Sequence, residues 1–180
     1  MLRAPGALEH HNVAMPTIER TDPPYEADER TMLLAWLEYH RATLLRKCEG
    51  LTDDELRRRA VPPSNLSLLG LVRHMAEVEL NWFRFWLGGA EPHPLYGGNT
   101  DFDEVDGADV TEAFAHFDDE CAHAREVVAG FGSLDDVGAG QTVGAGISLR
   151  WTLVHMIEEY ARHNGHADLL RECIDGTTGD

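Results

Sequence analysis

Residues 68–87 read LLGLVRHMAEVELNWFRFWL, and the fold class follows from how the apolar side chains fall in this stretch. Leu71, Met75, Val78, Trp82 and Phe85 recur at three- and four-residue steps, the period of an α-helix, with His74 inside the same stripe. Ser64 or Ser67 supplies an N-cap and Gly88-Gly89 a stop. A helix this apolar on one wide face needs partners, and the rest of the chain offers three of similar length. Leu33, Leu34, Leu37, Leu44 and Leu45 predict a helix from about residue 25 to Cys48, with Trp36 and His40 beside the stripe. Phe114, Phe117, Cys121 and Val128 predict another from Val110 to Ala129. Ser148 caps a fourth that runs to about Ile174 before Asp175-Gly176. Thr52-Asp53-Asp54-Glu55 has the capping-box pattern of a short helix that Pro62-Pro63 stops.

Nothing in the chain reads as a run of β-branched residues, so the expected fold is all-α. Four helices of about 20 residues, each roughly 30 Å long, pack most simply as a four-helix bundle. Residues 1–24, with five prolines and glycines and no sustained period, are expected to be a flexible leader, residues 25–176 the bundle, and 177–180 a tail. The stretch from Ala90 to Asp109, with six acidic residues, reads as an acidic connecting loop. Residues 133–146, with Gly138, Gly140, Gly144 and Gly146, read as a loose turn or short hairpin without the lysine of a phosphate loop.

Across 180 residues the chain carries 32 acidic side chains against 15 basic ones, a formal charge of −17. Nucleic-acid and anionic-membrane binding need a basic face, which the short Arg57-Arg58-Arg59 run does not supply. No apolar run approaches the roughly 18 residues of a membrane span, and residues 1–15 lack a signal-peptide pattern, so a cytoplasmic location is expected. Cys48, Cys121 and Cys173 are widely spaced and read as reduced thiols. Trp82, Phe83, Phe85 and Trp86 offer more aromatic surface than one helix face buries, which suggests a homodimer unless Phe83 and Trp86 pack under the acidic loop.

The chemistry concentrates in the fourth helix, where His155, Glu159 and His163 are spaced i, i+4, i+8 and His166 follows. Residues four apart on a helix have Cβ atoms about 5–6 Å apart, so Glu159 and His163 can chelate one ion, and His74 can supply a third ligand from residues 68–87. Spacing alone leaves two readings open: a metal site, or a surface Glu-His pair beside a core histidine satisfied by a carbonyl. His116, Glu120 and His123 form a rival set that reads as a solvated face, and His40 as a core or cavity-lining histidine. His10, His11 and His93 fall in loops with no specific role. Among the acidic side chains, Glu159 is the one expected to point inward.

The segments SLLGLVRHMAEVE (residues 67–79) and SLRWTLVHMIEEYARHNGHAD (residues 148–168) together resemble the DinB/YfiT-like superfamily of metalloenzymes, over about residues 25–176. The resemblance implies a four-helix bundle holding a divalent metal, zinc or nickel, on His74, Glu159 and His163. Many relatives have histidine where this chain has Glu159. The glutamate version is similar to the bundle domain of mycothiol-dependent maleylpyruvate isomerase, whose further C-terminal domain has no room in a chain ending at Asp180, so isomerase activity is not carried over. His166, often glutamine in relatives, and His155 are assigned supporting or cavity roles.

Two neutral imidazoles and one carboxylate leave a zinc ion at net +1 with an open coordination position, as catalytic sites do. The resemblance favours activation of a low-molecular-weight thiol such as mycothiol for attack on a small electrophile. Hydrolysis by metal-activated water, or a noncatalytic metal-stabilised binding or stress-response protein, are the alternatives.

Overall fold

Ser67 opens the decisive helix: its hydroxyl accepts the backbone N–H of Gly70, and its own backbone is extended. In the computed structural model, which describes residues 18–140 and 146–179, six α-helices form: α1 (Glu29–Cys48), α2 (Asp53–Arg57), α3 (Leu68–Glu79), α4 (Thr100–Asp103), α5 (Val110–Ala129) and α6 (Leu149–Asp175). The described residues contain no strand, only an isolated antiparallel bridge between Val137 and Ser148. The fold is the expected all-α bundle. Most of the expected leader, residues 1–17, and part of the glycine-rich connection, residues 141–145, lie outside the described residues.

Two features differ from expectation for local reasons. The first helix begins at Glu29 rather than near residue 25, because the Asp28 carboxylate captures the Thr31 N–H and fixes the start. The expected capping box is present, with Thr52 and Glu55 each accepting the other's backbone N–H. Beyond Glu79, α3 continues through Leu87 as a π-helix, closed by a bond from the Gly88 N–H to the Phe83 carbonyl five residues back at 2.8 Å. The wider turn carries Phe83 wholly into the core, while Trp82 turns toward α6 and packs against Trp151 and His155. Phe83 thus lies in the bundle core and not under the acidic loop.

α1 packs along α6, α6 against α3, and α3 along α5. Leu71, Met75, Phe117, Leu153 and Tyr160 are almost fully buried at the centre. At 25 cal/mol per Å², burial of each such side chain contributes about 1.5–3 kcal/mol. α1 and α5 approach less closely and are joined by the bidentate pair of Arg125 with Glu38, at 2.9 and 2.8 Å.

A buried charged network crosses this core. Arg41 on α1 donates Nε to Glu79 Oε1 at 2.8 Å and Nη2 to Oε2 at 2.6 Å, and the Tyr160 hydroxyl of α6 donates to the same Oε1 at 2.6 Å. Glu79 is 0 % exposed, so these bonds replace the water that its carboxylate loses. The network ties α1, α3 and α6 into one register. No helix of the described residues is long and apolar enough to cross a membrane.

Candidate metal centre

α3 and α6 run antiparallel, and that direction assembles the site. The rings of His74 and His163 lie 4.7 Å apart, and eight residues further along α3 Trp82 meets His155, eight residues back along α6, at 4.4 Å. Tyr160, three residues before His163, is bonded to Glu79, five after His74. The buried network therefore sets the sliding position of the two helices that carry the histidines.

One donor atom from each of His74, Glu159 and His163 lies within 4.8 Å of the other two. Glu159 Oε2 is 3.5 Å from His163 Nε2, as the i, i+4 spacing on one helix face dictates. The three side chains are neither sealed nor fully solvated, at 25 %, 19 % and 12 % exposure for His74, Glu159 and His163. Burial, reinforced by repulsion from His74, His166 and Arg162 and opposed by Asp101, lowers the pKa of His163 from 6.5 to about 4. The imidazole is thus neutral near pH 7, the form that can ligate a metal.

Each of the two histidines is also engaged at its Nδ1. His163 Nδ1 lies 3.4 Å from His166 Nδ1, and His74 Nδ1 lies 2.8 Å from Asp101 Oδ2. Asp101 comes from α4, inside the segment expected to be an acidic loop, and with Glu79 and Glu120 it is one of three buried acidic residues among the described residues. This corrects the expectation that Glu159 alone points inward. A carboxylate in a loop and one inside an apolar stripe give no periodic sign of burial; what buries them is a basic or imidazole partner on another helix.

His155 stacks on Trp151 and places Nε2 3.6 Å from Glu159 Oε1. His40 sits on α1, bonded to Asn164 through both its ring and its carbonyl, and burial lowers its pKa. The rival set does not converge: buried Glu120 accepts two bonds from Arg84, at 2.7 and 3.0 Å, and is not on a solvated face. His116 instead faces the Tyr96 hydroxyl, and His123 faces Glu126. All three cysteines are free; burial pushes the Cys48 thiol up to about 12 and that of Cys121 upward as well, so neither is a ready nucleophile. A cavity of about 590 Å³ lies between α4 and α5, lined by Arg73, Tyr96, His116 and several carboxylates, and none of the three clustered donors lines it.

The helical bundle, with His74, Glu159 and His163 converging between antiparallel helices, is of the DinB/YfiT-like type. A family model described as mycothiol-S-transferase matches residues 32–176, and the chain belongs to that family. The fold is similar to a crystal structure described as the conserved protein of locus from Enterococcus faecalis, with a TM-score of 0.60 and 15 % sequence identity, covering 84 % of this chain and 100 % of that one. At that identity the likeness speaks for the fold alone. No curated protein matches the chain.

Proposed function

We propose that the protein is a metal-dependent thiol S-transferase that uses a mycothiol-type cosubstrate, with His74, Glu159 and His163 holding one divalent ion, zinc or nickel. The observation that carries this reading is the convergence of those three donors within 4.8 Å in a chain of the mycothiol-S-transferase family. The donor set fits such an ion: one carboxylate, one imidazole held neutral by burial, and a second imidazole whose Nδ1 is already engaged, leaving Nε2 free. When bound, the ion supplies the Lewis acidity that keeps a coordinated thiol deprotonated at neutral pH.

The chain's own residues then have distinct tasks. Three protein ligands leave a position open for the cosubstrate. Phe102, whose ring lies 4.8 Å from that of His74, gives the site an apolar neighbour that limits water. His166 and His155, beside His163 and Glu159 respectively, hold these side chains toward the centre. The electrophile is a small molecule, and its sulfur adduct is the product.

Elemental analysis of protein purified without a histidine tag tests the reading. About one divalent ion per chain is expected in the wild type, with loss in both His74→Ala and His163→Ala, and consumption of a reactive electrophile should require added thiol. Electrophile consumption that persists without thiol selects hydrolysis instead. Full metal occupancy in the His74→Ala, His163→Ala double variant refutes the ligand set.

A further inference from the structure

We propose that Asp101 is a positioning residue of this centre: its buried carboxylate accepts the Nδ1–H of His74, fixes that tautomer and aims the Nε2 lone pair at Glu159 and His163. The inference rests on the metal reading above.

A helix of four residues has no stability of its own, yet Thr100–Asp103 is fixed against α3 by three independent contacts. Arg73, next to His74 and only 6 % exposed, donates Nη2 to the Thr100 carbonyl at 2.9 Å and Nη1 to the Glu104 carbonyl at 3.0 Å, clasping both ends of the turn. Phe102 packs over Gly70 so closely that a Cβ there would lie 3.0 Å from its ring, and it also lies against the His74 ring. Val105 is wholly buried just beyond. The side chain that this clasp delivers to His74 is Asp101.

Asp101 is 6 % exposed and both its carboxylate oxygens are engaged: Oδ1 accepts the Phe102 N–H at 3.0 Å, and Oδ2 faces His74 Nδ1 at 2.8 Å. Among the described residues its one ion-pair contact is His74. No arginine or lysine of the described residues pairs with it directly, since Arg73 is engaged with the carbonyls of Thr100 and Glu104, and a buried carboxylate is costly without a direct partner. A divalent ion on the far nitrogen of the same imidazole supplies the balancing charge. Carboxylate, imidazole and metal in line is also the arrangement that fixes ring orientation and makes a histidine a stronger donor. His163 has no such partner, since its Nδ1 faces the imidazole of His166. The two histidine ligands are therefore unequal, and His74 is the one supported by charge.

The experiment compares the wild type with Asp101→Ala and Asp101→Asn, whose amide oxygen still accepts from Nδ1–H. Zinc affinity is measured by competition with a chromophoric chelator. The tautomer of His74 is read in the metal-free proteins from its ring 15N shifts, assigned with His74→Gln. Expected are an Nδ1–H tautomer in the wild type and in Asp101→Asn, its loss in Asp101→Ala, and zinc binding weakened about 10–100-fold in Asp101→Ala and recovered in part in Asp101→Asn, which keeps the acceptor without the charge. Unchanged zinc affinity in Asp101→Ala, or an Nε2–H tautomer of His74 in the wild type, overturns the proposal. The tautomer measurement on the wild type stands even if Asp101→Ala does not fold. Absence of any stoichiometric divalent ion, zinc or nickel, in the wild type overturns the metal reading and this inference with it, whereas unchanged affinity in Asp101→Ala overturns this inference alone.

Discussion

Replacing Glu79 by leucine removes the hub of the buried network without opening a large cavity, and its cost can be worked from the contacts. Glu79 accepts two bonds from Arg41 and one from Tyr160, all at 2.8 Å or less, and is 0 % exposed. Glu79→Leu leaves the Arg41 guanidinium, whose side chain is 5 % exposed, with only the partly solvated Glu38 as counter-charge. Stranding one member of such a pair costs about 3–5 kcal/mol. With a urea slope of about 2 kcal/mol per M, the midpoint of the metal-free protein should fall by roughly 2 M. Arg41→Met alone should cost a similar amount, because it strands Glu79. In the Arg41→Met, Glu79→Leu double variant both charges are gone, and the loss should be smaller than either single one. Circular dichroism during urea unfolding gives all corners of the cycle. Additivity of the two single effects within about 0.5 kcal/mol would show that the residues do not act as a pair and refute the reasoning.

Three further outcomes follow from local geometry. The His163 pKa of about 4 in the folded, metal-free protein lies below its ordinary 6.5, so the unfolded chain takes up that proton first. The stability it contributes is complete above about pH 6.5 and is lost as pH falls toward 4; the urea midpoint should drop more between pH 7 and pH 5 in wild type than in His163→Gln. Gly138→Ala should destabilise by roughly 1–3 kcal/mol, because a Cβ there would lie 2.5 Å from the Trp86 carbonyl oxygen and 2.7 Å from Leu87 Cα, both backbone atoms that cannot rotate away; a thermal midpoint equal to wild type would contradict it. Ser148→Ala removes the acceptor for the Trp151 N–H at the start of α6 and should cost about 1 kcal/mol, read as a lower urea midpoint.

Much of the candidate site is visible in one dimension because a helix converts spacing into direction. Glu159 and His163 face one way since they are four apart, and His74 faces inward since Leu71, Met75 and Val78 surround it in sequence. Asp101 carries no such mark. It sits among Asp103, Glu104 and Asp106, three exposed acids of the same appearance, and only the clasp of Arg73 on α4 turns it toward His74. Glu120 escapes for the same kind of reason: its neighbours Asp118 and Asp119 are exposed, and Arg84 on the π-helical turn draws it in. A histidine between apolar residues advertises its burial, whereas an acid among acids depends on where a distant cation or imidazole falls.

Four long helices, the caps of α2 and α6, and the pair of donors that share one face of α6 are legible in the sequence, because each depends on hydrogen bonds and side-chain spacing within a few residues. Only the tertiary structure decided which helices became neighbours, how far α3 slides along α6, and which acid stands behind His74. Those choices depend on the bonds from Arg41 and Tyr160 to Glu79 and from Arg73 to α4, each joining residues 27 or more positions apart. Local chemistry proposes the candidate ligands; long-range polar contacts inside the core fix the distance between them.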